Sequence, residues 1–228
     1  MRLWVSFFAT VTLFSCGGGD SSRRPAAAEQ KEPPVKQPVT AVSTAAPPDT
    51  RPIIVAFGDS LTDGFGVPPG QKYTDFLQKA IDDAGLKYRV INAGVSGDTT
   101  ANALDRLPSV AALKPKLVVL EIGGNDGLRG LPVDQTRRNL EDIVKGLQSS
   151  GAKVLLWGMT LPRNYGAKYV RDFEQVFTGT GKKFGITILP VTEFGRVDMQ
   201  PDGIHPTGAG YQKVAPVVFK YVRKELGE

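Results

Sequence analysis

The chain contains a single histidine, His205, set in Asp202-Gly203-Ile204-His205-Pro206. Imidazole is the only side chain whose unperturbed titration falls between about pH 5 and 8. If the protein needs a base at neutral pH, His205 is therefore the natural candidate. Asp202, three residues earlier, can reach back within one turn and accept a hydrogen bond from one ring nitrogen. The other nitrogen is then free to take a proton from a nucleophile. A hydroxyl nucleophile stands in Gly58-Asp59-Ser60-Leu61-Thr62, where Ser60 can open a short helix after a strand. Asn92 to Thr100 contributes Gly94, whose N–H can approach a substrate oxygen without a side chain in the way. Gly123-Gly124-Asn125-Asp126 contributes Asn125, an uncharged amide donor whose hydrogens do not depend on pH. The Ser60 and Gly94 N–H groups with the Asn125 amide would make an oxyanion hole.

These four segments do chemistry together only if the fold collects them. The wholly apolar run 53–57 suits a strand buried on both faces, and 88–92, 117–121, 153–157 and 186–189 read as four further strands. Between them, helical spacing predicts helices over 73–84, 99–113 with an interruption at Pro108, 132–149, 165–184 and 208–226, the last broken or shifted near Pro216. Strands alternating with helices imply a parallel sheet with right-handed crossovers, a three-layer α/β/α sandwich over residues 52–228. Ligands of such sheets sit beyond the carboxyl ends of the strands. Three of the four polar segments follow a predicted strand, and the fourth precedes the last helix.

Composition narrows the chemistry. The chain of 228 residues has a net charge of +5, and residues 52–228 account for about +3 of it. No dense basic stripe with interleaved aromatics appears, which argues against a nucleic-acid partner. One Cys and one His exclude an intrachain disulfide and the usual His/Cys zinc sets. No phosphate-binding GxxxxGK[ST] is present, and Gly64-Phe65-Gly66 lacks the third glycine of the dinucleotide fingerprint. The expected chemistry needs no metal and no cofactor.

The first residues read as an address. Arg2 precedes the uncharged apolar run Leu3 to Phe14, shorter than the roughly 20 residues that span a bilayer. The run ends in Leu13-Phe14-Ser15-Cys16 and resembles a bacterial lipoprotein signal, in which residues 1–15 are removed and Cys16 carries the lipid. Phe14 is larger than the residue usual at its place. Residues 16–51, rich in Pro, Ala, Ser and Thr, cannot bury enough apolar surface to order themselves and read as a tether. The expected location is the bacterial cell envelope, with the chain held on a membrane as a monomer by that anchor.

Ser60, Gly94, Asn125 and His205 match, in order, the four blocks of the SGNH (GDSL) hydrolase superfamily. The stretches 57–66, 92–100, 120–131, 161–169 and 202–206 resemble its arylesterase, thioesterase I and lysophospholipase L1 branch, and the similarity covers essentially all of residues 52–228. The resemblance implies a flavodoxin-like five-stranded sheet and hydrolysis of carboxylic esters and thioesters of small acyl or lysolipid substrates. It implies Ser60 as nucleophile, His205 as base and then acid, Asp202 as its orienting partner, and Ser60, Gly94 and Asn125 as oxyanion donors. Loops 128–132 and 161–165 are expected to line an acyl groove. Two alternatives stand beside this reading: a deacetylase of envelope carbohydrate on the same triad, and a lipoprotein that binds without catalysis.

Overall fold

The computed structural model describes residues 49–228. The signal and lipidation site lie outside the described residues, as does the tether up to residue 48. The described part is an α/β sandwich around one parallel sheet. Its strands are β1 Ile53–Gly58, β2 Arg89–Gly94, β3 Leu117–Glu121, β4 Lys153–Trp157 and β5 Thr187–Leu189, in the order β2-β1-β3-β4-β5. Each neighbouring pair is parallel, with Gly58 opposite both Gly94 and Glu121. All strands therefore end on one edge. The strand order reverses between β1 and β3, where a crevice opens in sheets of this topology.

Alternate strand residues build the two faces. Val55, Phe57, Val118, Leu120, Val154 and Leu156 pack against helices α3 (Thr100–Ala112), α5 (Val133–Ser149) and α6 (Ala167–Phe184). Ile54, Ala56, Leu117, Val119, Leu155 and Trp157 face α2 (Tyr73–Asp83) and α7 (Gly208–Leu226). β3 is buried throughout, which explains its unbroken apolar run.

Four sequence expectations are corrected. α3 and α7 run through Pro108 and Pro216 without a break. Both prolines are exposed. Each sits on the solvent side of its helix, where the carbonyl it deprives of a partner can be hydrated. Buried neighbours hold the helix on both sides: Ala103 and Val110 in α3, Val214, Val218 and Val222 in α7. The helix expected from residue 165 begins at Ala167 instead, because Gly166 is left-handed (φ 88°) and separates it from a short 3₁₀ turn, Arg163–Tyr165. β2 runs two residues past its expected end, to Gly94.

That last difference has a steric basis. The short helix α1 (Ser60–Asp63) follows β1 directly and lies across the end of β2. A Cβ on Gly94 would stand 2.1 Å from the Asp63 backbone nitrogen and 2.6 Å from the Thr62 carbonyl carbon. Only glycine lets the two backbones approach this closely. Gly94→Ala is expected to cost about 1–3 kcal/mol, as overpacking does, and to lower the melting temperature by several degrees. An unchanged thermal melt followed by circular dichroism would contradict the close approach.

Candidate active site

Ser60 is the first residue of α1. Asp59 caps that helix, its Oδ1 accepting from the Leu61 N–H at 3.2 Å, and Gly64 ends it in the left-handed conformation. The hydroxyl is thus presented two residues past the end of β1, at the point where the strand order reverses. Across the edge, Ser60 Oγ lies 2.8 Å from His205 Nε2. His205 Nδ1 lies 2.7 Å from Asp202 Oδ2. The other Asp202 oxygen accepts from the backbone N–H groups of Ile204 (2.9 Å) and His205 (3.0 Å). These bonds, the His205 N–H first, hold the Asp202 carboxyl down at about 2, so it is an anion throughout the neutral range.

The turn carrying Asp202 and His205 is fixed from both sides. Met199 and Pro206 form an antiparallel bridge, and the Gln200 N–H donates to the His205 carbonyl at 2.7 Å. Gln200 Nε2 donates to the carbonyls of Phe65 (2.8 Å) and Pro206 (3.0 Å), tying this turn to the segment after α1. The Phe65 ring packs on the His205 ring with centroids 4.8 Å apart.

Ser60, Asn125 and His205 line one cavity of about 250 Å³, together with Leu61, Phe65, Ser96, Gly97, Leu128 and Ile204. Gly94 is not in that lining, and its expected role is corrected. Its N–H donates to the side chain of Asn92 at 2.9 Å, and its Cα face is covered by α1. The glycine at the cavity is Gly97. The Asp98 N–H bonds the Val95 carbonyl at 3.1 Å, closing a turn with Gly97 at φ 87°. That is the third position of a type II turn, where glycine is favoured. Among the described residues, neither the Gly97 nor the Ser60 N–H meets an acceptor. Sequence reasoning missed Gly97 because the strand was ended too early. The usable signal was Ser96-Gly97-Asp98-Thr99, a glycine in a turn just before a capped helix.

Asn125 lies in the short helix α4 (Gly124–Leu128), just beyond the end of β3. Its Nδ2 donates to the Asp98 carbonyl at 2.9 Å and makes a long contact, 3.4 Å, with Asp59 Oδ2. The neighbouring Asp126 is buried and accepts from the N–H (2.8 Å) and hydroxyl (2.5 Å) of Thr100, which anchors α4 to α3. Arg106 is a second group the sequence did not reveal. Its guanidinium pairs with Asp98 at 2.6 Å and donates to the carbonyls of Ala93 (3.0 Å) and Gly58 (3.2 Å), binding the ends of β1 and β2 to the Gly97 turn. Of the two loops expected to line a groove, only Leu128 reaches the cavity. Leu161 is buried in the core, and Tyr165 supports the first loop from behind by donating to the Leu128 carbonyl at 2.9 Å.

Residues 56–213 match the model of the GDSL-like Lipase/Acylhydrolase family. Esterase TesA of Pseudomonas aeruginosa is 41% identical over 178 residues, covering 76% of this chain and 89% of its own length. Thioesterase 1/protease 1/lysophospholipase L1 of Escherichia coli is 33% identical over 187 residues, 80% of this chain and 85% of that protein. Among solved structures, the psychrotrophic esterase EstA from Pseudoalteromonas sp. superposes with a TM-score of 0.72 at 30% identity, covering 77% of this chain and 99% of that one.

Gly97 and Gly94 make opposite demands, which separates them experimentally. Gly97→Ala places a side chain at positive φ with only the Arg129 guanidinium in ordinary contact, 3.8 Å from the new Cβ, a strain of about 1–2 kcal/mol. Its effect is expected on p-nitrophenyl ester turnover at temperatures well below the melt, beyond the few degrees that such strain takes from the melting temperature. If Gly97→Ala turns over ester as fast as the unsubstituted protein, the turn does not require glycine at this positive φ.

Proposed function

Because the chain belongs to the GDSL-like lipase/acylhydrolase (SGNH) family and is a carboxylic ester hydrolase, we propose that it works through an acyl-Ser60 intermediate. One observation carries the reading: His205 bridges Ser60 at 2.8 Å and Asp202 at 2.7 Å through its two ring nitrogens. In the proposed cycle, Ser60 Oγ attacks the acyl carbon as His205 Nε2 takes its proton. The imidazolium that forms is held by the Asp202 anion. The N–H groups of Ser60 and Gly97 and the Asn125 amide receive the oxyanion. The long Asn125–Asp59 contact is the one a developing oxyanion would replace. His205 then protonates the departing alcohol or thiol. Water, activated by the same nitrogen, frees the acid and restores Ser60.

Size and lining support apolar acyl substrates. The catalytic cavity adjoins a second depression of about 570 Å³, which shares Leu61 and Ile204 with it and is walled by Trp157, Val191, Phe194 and Met199. Together they offer room for a lysolipid or medium-chain ester. One methylene in such a pocket is worth only about 1–3 kcal/mol, so preference along a chain-length series is broad. The envelope location and lipid anchor at Cys16 belong to the same proposal and rest on the sequence alone. Among the described residues no helix is long and apolar enough to cross a membrane.

Ser60→Ala and His205→Ala are each expected to remove nearly all p-nitrophenyl ester turnover, since no second histidine exists to substitute. Asp202→Asn should fall on the order of 10⁴-fold in kcat by favouring the wrong imidazole tautomer. Full activity in Ser60→Ala would overturn the acyl-enzyme reading. For the anchor, Cys16→Ser is expected to move the protein from the membrane fraction to the soluble one; an unchanged distribution would refute lipidation at that residue.

A further inference from the structure

Glu121 ends β3 with its side chain fully buried, in a position the proposed cycle leaves idle. Its Oε2 accepts from the Thr62 hydroxyl at 2.8 Å and the Thr62 N–H at 3.1 Å, in the middle of the helix that Ser60 opens. The Tyr73 hydroxyl stands 3.4 Å from the Thr62 hydroxyl, extending the chain of polar groups into the core. The other oxygen, Oε1, is buried and meets no donor among the described residues. Asp59, itself buried, is its neighbour across the strand ends, the Asp59 N–H donating to the Glu121 backbone carbonyl at 3.2 Å. An ionised carboxylate only accepts, so an oxygen buried with no donor to meet it is the one expected to carry a proton. Two buried anions on neighbouring strand ends would also carry a desolvation cost, and the guanidinium that reaches this edge, Arg106, is spent on Asp98 and two carbonyls.

We propose that Glu121 is a positioning residue for the ester-hydrolase site, a neutral carboxylic acid that fixes the Ser60 helix through Thr62 and donates its own proton to the Asp59 carboxylate. Burial and the neighbouring Asp59 charge both push the Glu121 carboxyl upward, in the direction this assignment needs. Asp59 then serves two donors, the Leu61 N–H at the start of the helix and the Asn125 amide at 3.4 Å. One shared proton thus links the nucleophile's helix to the amide that faces the oxyanion. The acid touches neither substrate nor the reacting atoms. The inference rests on the roles given above to Ser60 and Asn125.

The test uses the full chain with p-nitrophenyl butyrate as probe, beside the Ser60→Ala control. Glu121→Gln keeps an acceptor for Thr62 and supplies an N–H for Asp59. It is expected to hold kcat within about threefold of the unsubstituted protein, as a conservative replacement of a neutral donor should. Glu121→Leu removes both links and is expected to lose roughly tenfold or more in kcat with KM nearly unchanged, because a misaimed donor acts on the transition state rather than on ground-state binding. Infrared difference spectroscopy reads the proton directly: the carbonyl band of a protonated carboxylic acid should be present at neutral pH in the unsubstituted protein and absent from Glu121→Gln. Absence of the band from the unsubstituted protein would overturn the proposal, as would a Glu121→Gln enzyme no better than Glu121→Leu or a Glu121→Leu enzyme with full kcat. If Glu121→Leu does not fold, the band and the Glu121→Gln rate still decide. Full activity in the Ser60→Ala control would instead count against the underlying catalytic reading.

Discussion

The site depends on how tightly a strand can be followed by a helix. β1 ends at Gly58 and α1 begins at Ser60, leaving only Asp59 to make the turn. For that to work, the α1 backbone must lie within van der Waals contact of the ends of both flanking strands. A side chain on Gly58 would strike the Glu121 carbonyl at 2.2 Å, and one on Gly94 would strike Asp63. The absence of two Cβ atoms is thus what aims the serine. Everything else at the sheet edge is arranged around that approach: Arg106 gathers the carbonyls that the strand ends leave over, and Glu121 takes the N–H of Thr62.

Much of this was legible in the sequence because it is local. The apolar runs of β1 and β3 have no other stable setting, and both emerge as buried strands. Asp202 and His205, three residues apart, needed only one turn to meet, and Ser60 opens the short helix its position suggested. The errors share a different origin. Gly94 and Gly97 are three residues apart in one polar segment, and choosing between them requires knowing where β2 stops. That is set by pairing with Gly58 across the sheet, not by the residues themselves. Propensity likewise broke α3 and α7 at Pro108 and Pro216, but packing on the opposite faces outweighs the one hydrogen bond each proline removes.

Glu121 and Arg106 were invisible for a third reason. A glutamate at the end of an apolar run reads as the residue where a strand meets water, and an arginine in a helix reads as surface. Both side chains instead turn inward at the edge of the sheet, where strand ends leave polar backbone that must be satisfied. The partners of Arg106 come from β1, β2 and the turn after β2, a grouping that exists only once the sheet has formed.

The contact between His205 and Ser60 joins residues 145 positions apart. Asp202 and His205 travel on the stretch just before the final helix, while Ser60 belongs to the first strand turn. A chain that ended after α4 would hold Ser60, Gly97 and Asn125 and no imidazole. The imidazole joins them only with the segment ahead of α7, so the site is closed by the two ends of the described fold meeting at one sheet edge.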